Sequence, residues 1–190
     1  NYYNEIDRPH VVISLLSSSA KSPTGKMLMC ASNSFVFSEP HGAEPRVIHE
    51  MWDNNMHLMK FSKKLKAGSS YRFSIVGSSI TSAHHDDPLN EAERMTIFAK
   101  LEGRERLIEH HKNAWKDLWK SDIEIEGDPQ AQQDIHSMLY HLYSFAREGS
   151  NLSPSPMGLS GLGYNGHVFW DTELWMYPSI LVLHPEIAKS

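Results

Sequence analysis

Cysteine is nearly absent from this chain. Cys30 is the only one in 190 residues, which excludes an internal disulfide and a CxxC metal site. It lies in the apolar run 27–31 and reads as a buried structural thiol, because a free cysteine packs as a small hydrophobe. No apolar run approaches the roughly 20 residues that a membrane-spanning helix needs. Positive charge is not in excess. A net charge of −5, with no Lys/Arg stripe interleaved with aromatics, argues against nucleic acid as a partner. No GxSxG occurs, and His110-His111 and the pair His136/His141 have no HExxH arrangement. A serine-hydrolase or zinc-protease reading therefore has no anchor. Those histidines read as helix-surface or packing residues. The opening residues, Asn1 to Glu5, carry neither an initiator methionine nor a signal-peptide pattern. The compartment, cytoplasmic or periplasmic, stays open.

What is present is ordinary for a globular protein, with 40% apolar and 22% charged residues. The first 80 residues read as strands over 11–16, 26–37, 46–52, 56–65 and 70–80. Pro9, a serine cluster, Pro40-His41-Gly42 and Lys66-Ala67-Gly68-Ser69 punctuate them. Within the last strand Tyr71, Phe73 and Ile75 alternate with Arg72, Ser74 and Val76, a half-buried pattern. Strands at this spacing point to an antiparallel sandwich.

The chain then changes character. Asp87-Pro88 supplies a cap and a proline at the first helical position, predicting a helix to about Glu102 that stops at Gly103. A second helix is expected from Arg104 to about Lys120, with Leu107, His111, Ala114 and Leu118 on one face and Ile108, Trp115 and Trp119 beside it. Residues 122–126 read as an extended link. Asp128-Pro129 repeats the start signal for a helix carrying Ile135, Met138, Leu139, Leu142, Tyr143 and Ala146 and ending near Gly149. Residues 150–166, with Ser153-Pro154-Ser155-Pro156 and four glycines, read as a loop. A further helix is expected from about Asp171 to Leu183, and Pro185 opens one with six residues left. A helix that short is marginal. The strand block also lacks the strands to close a sandwich, so both ends are expected to be cut. No internal repeat is present.

The chemistry concentrates in Gly166-His167-Val168-Phe169-Trp170-Asp171-Thr172-Glu173. An aromatic platform beside a carboxylate suits a sugar ring. The C–H face stacks on the aromatic, and a carboxylate accepts from two hydroxyls at once. The bland reading makes Phe169 and Trp170 core aromatics and Asp171 a helix N-cap. Glu173 invites a role as acid catalyst, but residues two apart on a helix face different sides. Gly161-Leu162-Gly163-Tyr164-Asn165-Gly166 matches GxGxxG in form. A Ser-Pro repeat precedes it and His167 to Asp171 follow, rather than the strand and immediate helix of a dinucleotide site. His84-His85-Asp86-Asp87 holds metal-ligand types, yet adjacent residues converge poorly on one ion. Asn151-Leu152-Ser153 is a glycosylation sequon in form only.

The run GLSGLGYNGHVFWDTELWMYP, residues 158–178, resembles the signature of glycoside hydrolase family 65, the inverting α-glucosidases and disaccharide phosphorylases. The match couples an unusual loop to an FWD core and a following WMYP. The resemblance implies an α+β fragment in three parts. Residues 1–83 would be the C-terminal part of an antiparallel β-sandwich, 84–126 linker helices, and 127–190 the first helices of an (α/α)6 catalytic barrel. Phe169, Trp170 and Asp171 would then line the glucosyl subsite, with Tyr164 and His167 on its rim. The family's general acid and base fall in later segments, so no catalytic residue is expected within this chain. It would bind part of a sugar and catalyse nothing alone.

The same resemblance implies no metal and no organic cofactor, with inorganic phosphate as co-substrate only in a phosphorylase. Implied partners are an α-glucoside sugar and complementary segments of the parent polypeptide, with a homodimer left open for the full-length enzyme. Leu174-Trp175-Met176-Tyr177-Pro178 looks more like the hydrolase branch, whose members tend to read LWMFP or TWMFP, than like the IFMLP of phosphorylases. A non-catalytic carbohydrate-binding module is the rival from another class. Neither the linkage nor the acceptor sugar is fixed by these residues.

Overall fold

The computed structural model describes residues 2–8, 11–52, 56–161 and 163–190, with Arg8 by backbone alone. Pro9, expected to bound a strand, and Leu162 of the glycine-rich loop lie outside the described residues. The chain separates into two compact units, 1–111 and 112–190. It is α+β, with antiparallel strands followed by helices.

Among the described residues, the first unit holds six strands, β1 (Tyr2–Arg8), β2 (Val11–Lys21), β3 (Leu28–Phe37), β4 (Val47–Met51), β5 (His57–Phe61) and β6 (Phe73–Thr81). They form an antiparallel four-stranded sheet of order β1-β2-β3-β6 and a separate β4-β5 pair. The serine cluster expected to bound the strand over 11–16 does not end it. Ser17 continues β2 and is wholly buried, as are Ser32 and Ser34 of β3. Small side chains on this face admit the helix α1 (Pro88–Glu102), whose Ala92 and Thr96 are buried.

Buried hydroxyls need partners, and most have them here. Ser17 donates to Glu93 Oε1 at 2.9 Å, with the Ser32 hydroxyl 3.0 Å away. Thr96 donates to the Ser32 carbonyl at 3.0 Å, and Ser78 to the Ala92 carbonyl at 2.5 Å. Tyr2 donates to the same Glu93 oxygen at 2.5 Å. Cys30 lies fully buried on this face, and burial pushes its thiol up.

The alternation read in the last strand is present, and its inward set is the small one. Phe73 and Ile75 are exposed, while Ser74, Val76 and Ser78 are half-buried, because the register sets Val76 beside Ser34 and Ser78 beside Ser32. On the opposite face, Phe61 of β5 meets Phe35, Phe37 and Phe73 edge-on with centroids 5.0, 4.8 and 5.2 Å away. Tyr3 stacks on His49 of β4 at 4.8 Å.

The start signal at Asp87 holds, its carboxylate accepting from the Asn90 amide at 3.1 Å. Asp87 is thus engaged as a cap. Among the described residues no group of three or more metal-ligand side chains forms. Gly103 ends α1 at φ +79°, a conformation that favours glycine. Helix α2 (Arg104–Leu118) runs across the division between the units. Of its expected packing face, Leu107, Trp115 and Leu118 are half-buried, but His111 and Ala114 are exposed.

In the second unit, α3 (Pro129–Phe145) is capped by Asp128, which accepts from the Gln130 and Ala131 amides at 3.1 and 3.0 Å. It ends at Phe145, earlier than Gly149. Leu139, Tyr143 and Ile180 form the core, with Trp115, Leu118 and Trp119 packed against it. Met138, expected on the packing face, is exposed. Tyr143 donates to the Ser121 carbonyl at 3.0 Å, and its ring meets His184 edge-on at 4.7 Å. His136 sits 3.0 Å from an Asp122 carboxylate oxygen and edge-on to Trp119 at 5.2 Å. It is a packing residue.

Candidate carbohydrate-binding segment

The segment 150–169 is mostly loop. A 3-10 turn, Gly163–Gly166, carries Tyr164 at φ +57° and Asn165 at φ +51°, followed by Gly166 at +74°. Two non-glycine residues in the left-handed region are uncommon. His167 helps hold them. Its backbone amide and Nδ1 both converge on the Tyr164 carbonyl, at 2.9 and 2.7 Å. The Tyr164 ring then meets Phe169 edge-on at 5.2 Å, and the His167 ring lies 6.3 Å from Phe169. Tyr164, His167 and Phe169 therefore form one small aromatic cluster.

Two anchors fix this loop to the helices. The buried Thr172 donates to the Pro154 carbonyl at 2.7 Å, tying the Ser-Pro repeat to the segment after the motif. Gly158, at φ +50°, lies so close to Phe145 that an added Cβ would fall 2.6 Å from two ring carbons. That contact binds the loop to the end of α3.

The expected helix over 171–183 exists, but it is not uniform. Helical structure begins at Trp170, widens to a π-helical turn over Thr172–Met176, and becomes the α-helix α4 (Tyr177–Leu183). Pro178 explains the widening. It has no N–H for the Leu174 carbonyl and its ring crowds that position. The turn before it accommodates this by bonding the Tyr177 amide to the Thr172 carbonyl. Single π-turns of this kind recur at functional sites. The helix α5 (Pro185–Lys189) follows directly.

Asp171 is half-exposed, has helical dihedrals (φ −55°, ψ −37°) and makes no capping hydrogen bond. The plain N-cap reading of this carboxylate does not hold. Trp170 and Trp175 are 61% and 66% exposed, with ring centroids 6.5 Å apart. Neither is a core aromatic of this unit. A cavity of about 100 Å³ in the unit is lined by Thr172, Met176 and Ile180 among others, and by none of Tyr164, His167, Phe169, Trp170 or Asp171. Trp175, whose ring neighbours Trp170, and Thr172, which anchors the loop, were not singled out as site residues in the sequence. The WMYP run signals the first, but nothing local signals that a threonine would reach back eighteen residues.

The GxGxxG form at 161–166 has no strand before it, since the six strands described all lie in the first unit. Residues 136–190 match the model for the glycosyl hydrolase family 65 central catalytic domain. The chain is 69% identical over all 190 residues to a kojibiose hydrolase of Mucilaginibacter mallensis and 60% identical to one of Flavobacterium johnsoniae, covering 28% of each. It is 39% identical over 135 residues, 70% of this chain and 18% of the relative, to a nigerose phosphorylase of Lachnoclostridium phytofermentans. The chain thus spans little more than a quarter of the length of the two hydrolases. On the agreement of motif, family model and relatives, the chain belongs to glycosyl hydrolase family 65.

Proposed function

We propose that this chain is a segment of an inverting α-glucoside hydrolase that cleaves kojibiose. The observation that carries the reading is the identity of 69% and 60% to kojibiose hydrolases over every residue, against 39% over a shorter stretch for the nigerose phosphorylase. Within it, residues 1–83 belong to a β-sandwich, 84–126 to a helical linker and 127–190 to the start of an (α/α)6 barrel. The family-model match from residue 136 supports the last assignment.

The exposed Trp170 ring and the uncapped Asp171 carboxylate support a glucosyl subsite. Asp171 accepts from ring hydroxyls and Trp170 shapes the apolar face, while Phe169, Tyr164 and His167 hold the preceding loop. Binding energy collected here orients the glucosyl ring for reaction. A glutamic acid from another segment of the parent protonates the glycosidic oxygen, and a second carboxylate activates water on the opposite face. Neither step needs a metal or an organic cofactor.

The parent enzyme, assayed on kojibiose, nigerose, maltose and trehalose with and without phosphate, tests this. Glucose is expected from kojibiose regardless of phosphate, with β-glucose as the first anomer released from the non-reducing unit. Glucose 1-phosphate formed only with phosphate would move the chain to the phosphorylase branch. No turnover of any disaccharide would favour a binding module.

A further inference from the structure

The ladder between β2 and β3 stops at the Leu16–Asn33 pair. Beyond it β2 stays paired with β1 down to Val11, and β3 with β6 down to Phe37. The sheet therefore forks, and a cavity of about 260 Å³ occupies the opening. Ser14 stands on one wall, Ser34, Phe35 and Phe37 on the other, and Lys100 reaches in from α1.

The groups inside are donors with capacity to spare. Lys100 Nζ donates to the Phe35 carbonyl at 2.7 Å, and an ammonium has two further protons to place. Burial pushes Lys100 down from the ordinary lysine range, with Glu44 acting against it. Ser34 Oγ is fully buried and has no hydrogen-bond partner among the described residues. An orphaned buried hydroxyl is destabilising, so a polar occupant is favoured. The charged side chains among the remaining lining are Glu5, Glu44 and Arg46, with the imidazole of His41 beside them. Two carboxylates and two cations balance in formal charge, so the lining favours an ion of neither sign. An anion would meet the carboxylates and a cation would meet Lys100. A neutral molecule bearing both hydroxyl donors and oxygen acceptors satisfies all of them, and its apolar face can lie against the phenylalanines. The volume falls just below the roughly 300–1,000 Å³ of drug-sized sites, which suits one small ring.

We propose that this fork is a binding pocket for a single neutral polyhydroxylated ring of monosaccharide size. Lys100 and Ser34 donate to its oxygens, and Glu5 and Glu44 accept from its hydroxyls. The proposal is independent of the Trp170 segment. An amide-resolved NMR titration of the ¹⁵N-labelled chain with D-glucose, myo-inositol, sodium acetate and sodium phosphate tests it. Glucose or inositol is expected to give saturable, millimolar shifts at residues 34–37, retained in Trp170→Ala. The affinity should fall at least tenfold in Lys100→Met and severalfold in Glu44→Gln. Glu44 is half-buried on a loop, so its variant decides the matter should Lys100→Met fail to fold. Binding unchanged in both variants, shifts abolished by Trp170→Ala, saturation by acetate or phosphate instead of glucose, or no shift with any probe would each overturn it.

Discussion

Replacing Gly158 by alanine tests how firmly the glycine-rich loop is seated on α3. The residue has φ +50°, and the new Cβ would lie 2.6 Å from Phe145 Cδ1 and Cε1. Two costs add. Left-handed backbone at a residue with a Cβ costs about 1–2 kcal/mol, and overpacking against a ring costs about 1–3 kcal/mol. Gly149 provides the control, at φ +71° with nothing within 4 Å of its added Cβ. Gly149→Ala should therefore show only the backbone cost, and Gly158→Ala about 1–3 kcal/mol more. Four of the five tryptophans, at 115, 119, 170 and 175, lie in the second unit, so fluorescence-detected urea unfolding reads that unit. With an m-value of about 2 kcal/mol/M, the extra loss lowers the midpoint by roughly 0.5–1.5 M. In a Phe145→Ala background the excess should vanish, which a double-mutant cycle reads directly. If Gly158→Ala cost no more than Gly149→Ala, or its excess survived removal of the ring, the seating described above would be wrong.

Asp128 caps α3 through two amides and Asp87 caps α1 through one. Asp128→Ala should cost about 1–2 kcal/mol and Asp87→Ala about 0.5–1 kcal/mol, read by urea unfolding followed by circular dichroism. Burial and the hydrogen bond to Glu93 push Tyr2 up to about 12. The folded state then holds a proton that the unfolded state loses near pH 10. The stability involved is intact below about pH 10 and is lost as the pH rises to about 12. Tyr2→Phe should be less stable at neutral pH and should lose less between those values. In the parent enzyme, Asp171→Asn should lower kcat/KM for kojibiose roughly tenfold to a hundredfold, since hydrogen bonds to a charged group contribute about 1.5–3 kcal/mol. An unchanged kcat/KM would remove Asp171 from the glucosyl subsite.

Helix starts were the most legible part of the fold. Asp87-Pro88 and Asp128-Pro129 combine a cap with a residue that fits the first turn, and both signals are local. The sheet was less legible because its helix-facing side is built from Ser17, Ser32, Ser34 and Ser78. Serine reads locally as a turn residue, and only the partners on α1 make it a core residue. For the same reason β1 escaped notice, since Tyr2 is fixed by Glu93, ninety-one residues away. In the candidate segment, residue types pointed to the aromatic and acidic positions at once. The π-turn was not legible, although Pro178 causes it, because a proline near a helix start ordinarily marks the start itself.

The β4–β5 pair has a consequence for local opening. Two five-residue strands are marginal alone in water, and this pair leans on the larger sheet through Phe61 and the Tyr3–His49 stack. Its backbone amides should therefore exchange with deuterium together, as one cooperative unit of low opening free energy, while those of β2 and β3 stay protected. Truncating one ring, Phe61, should release the whole ribbon to exchange and leave the four-stranded sheet closed.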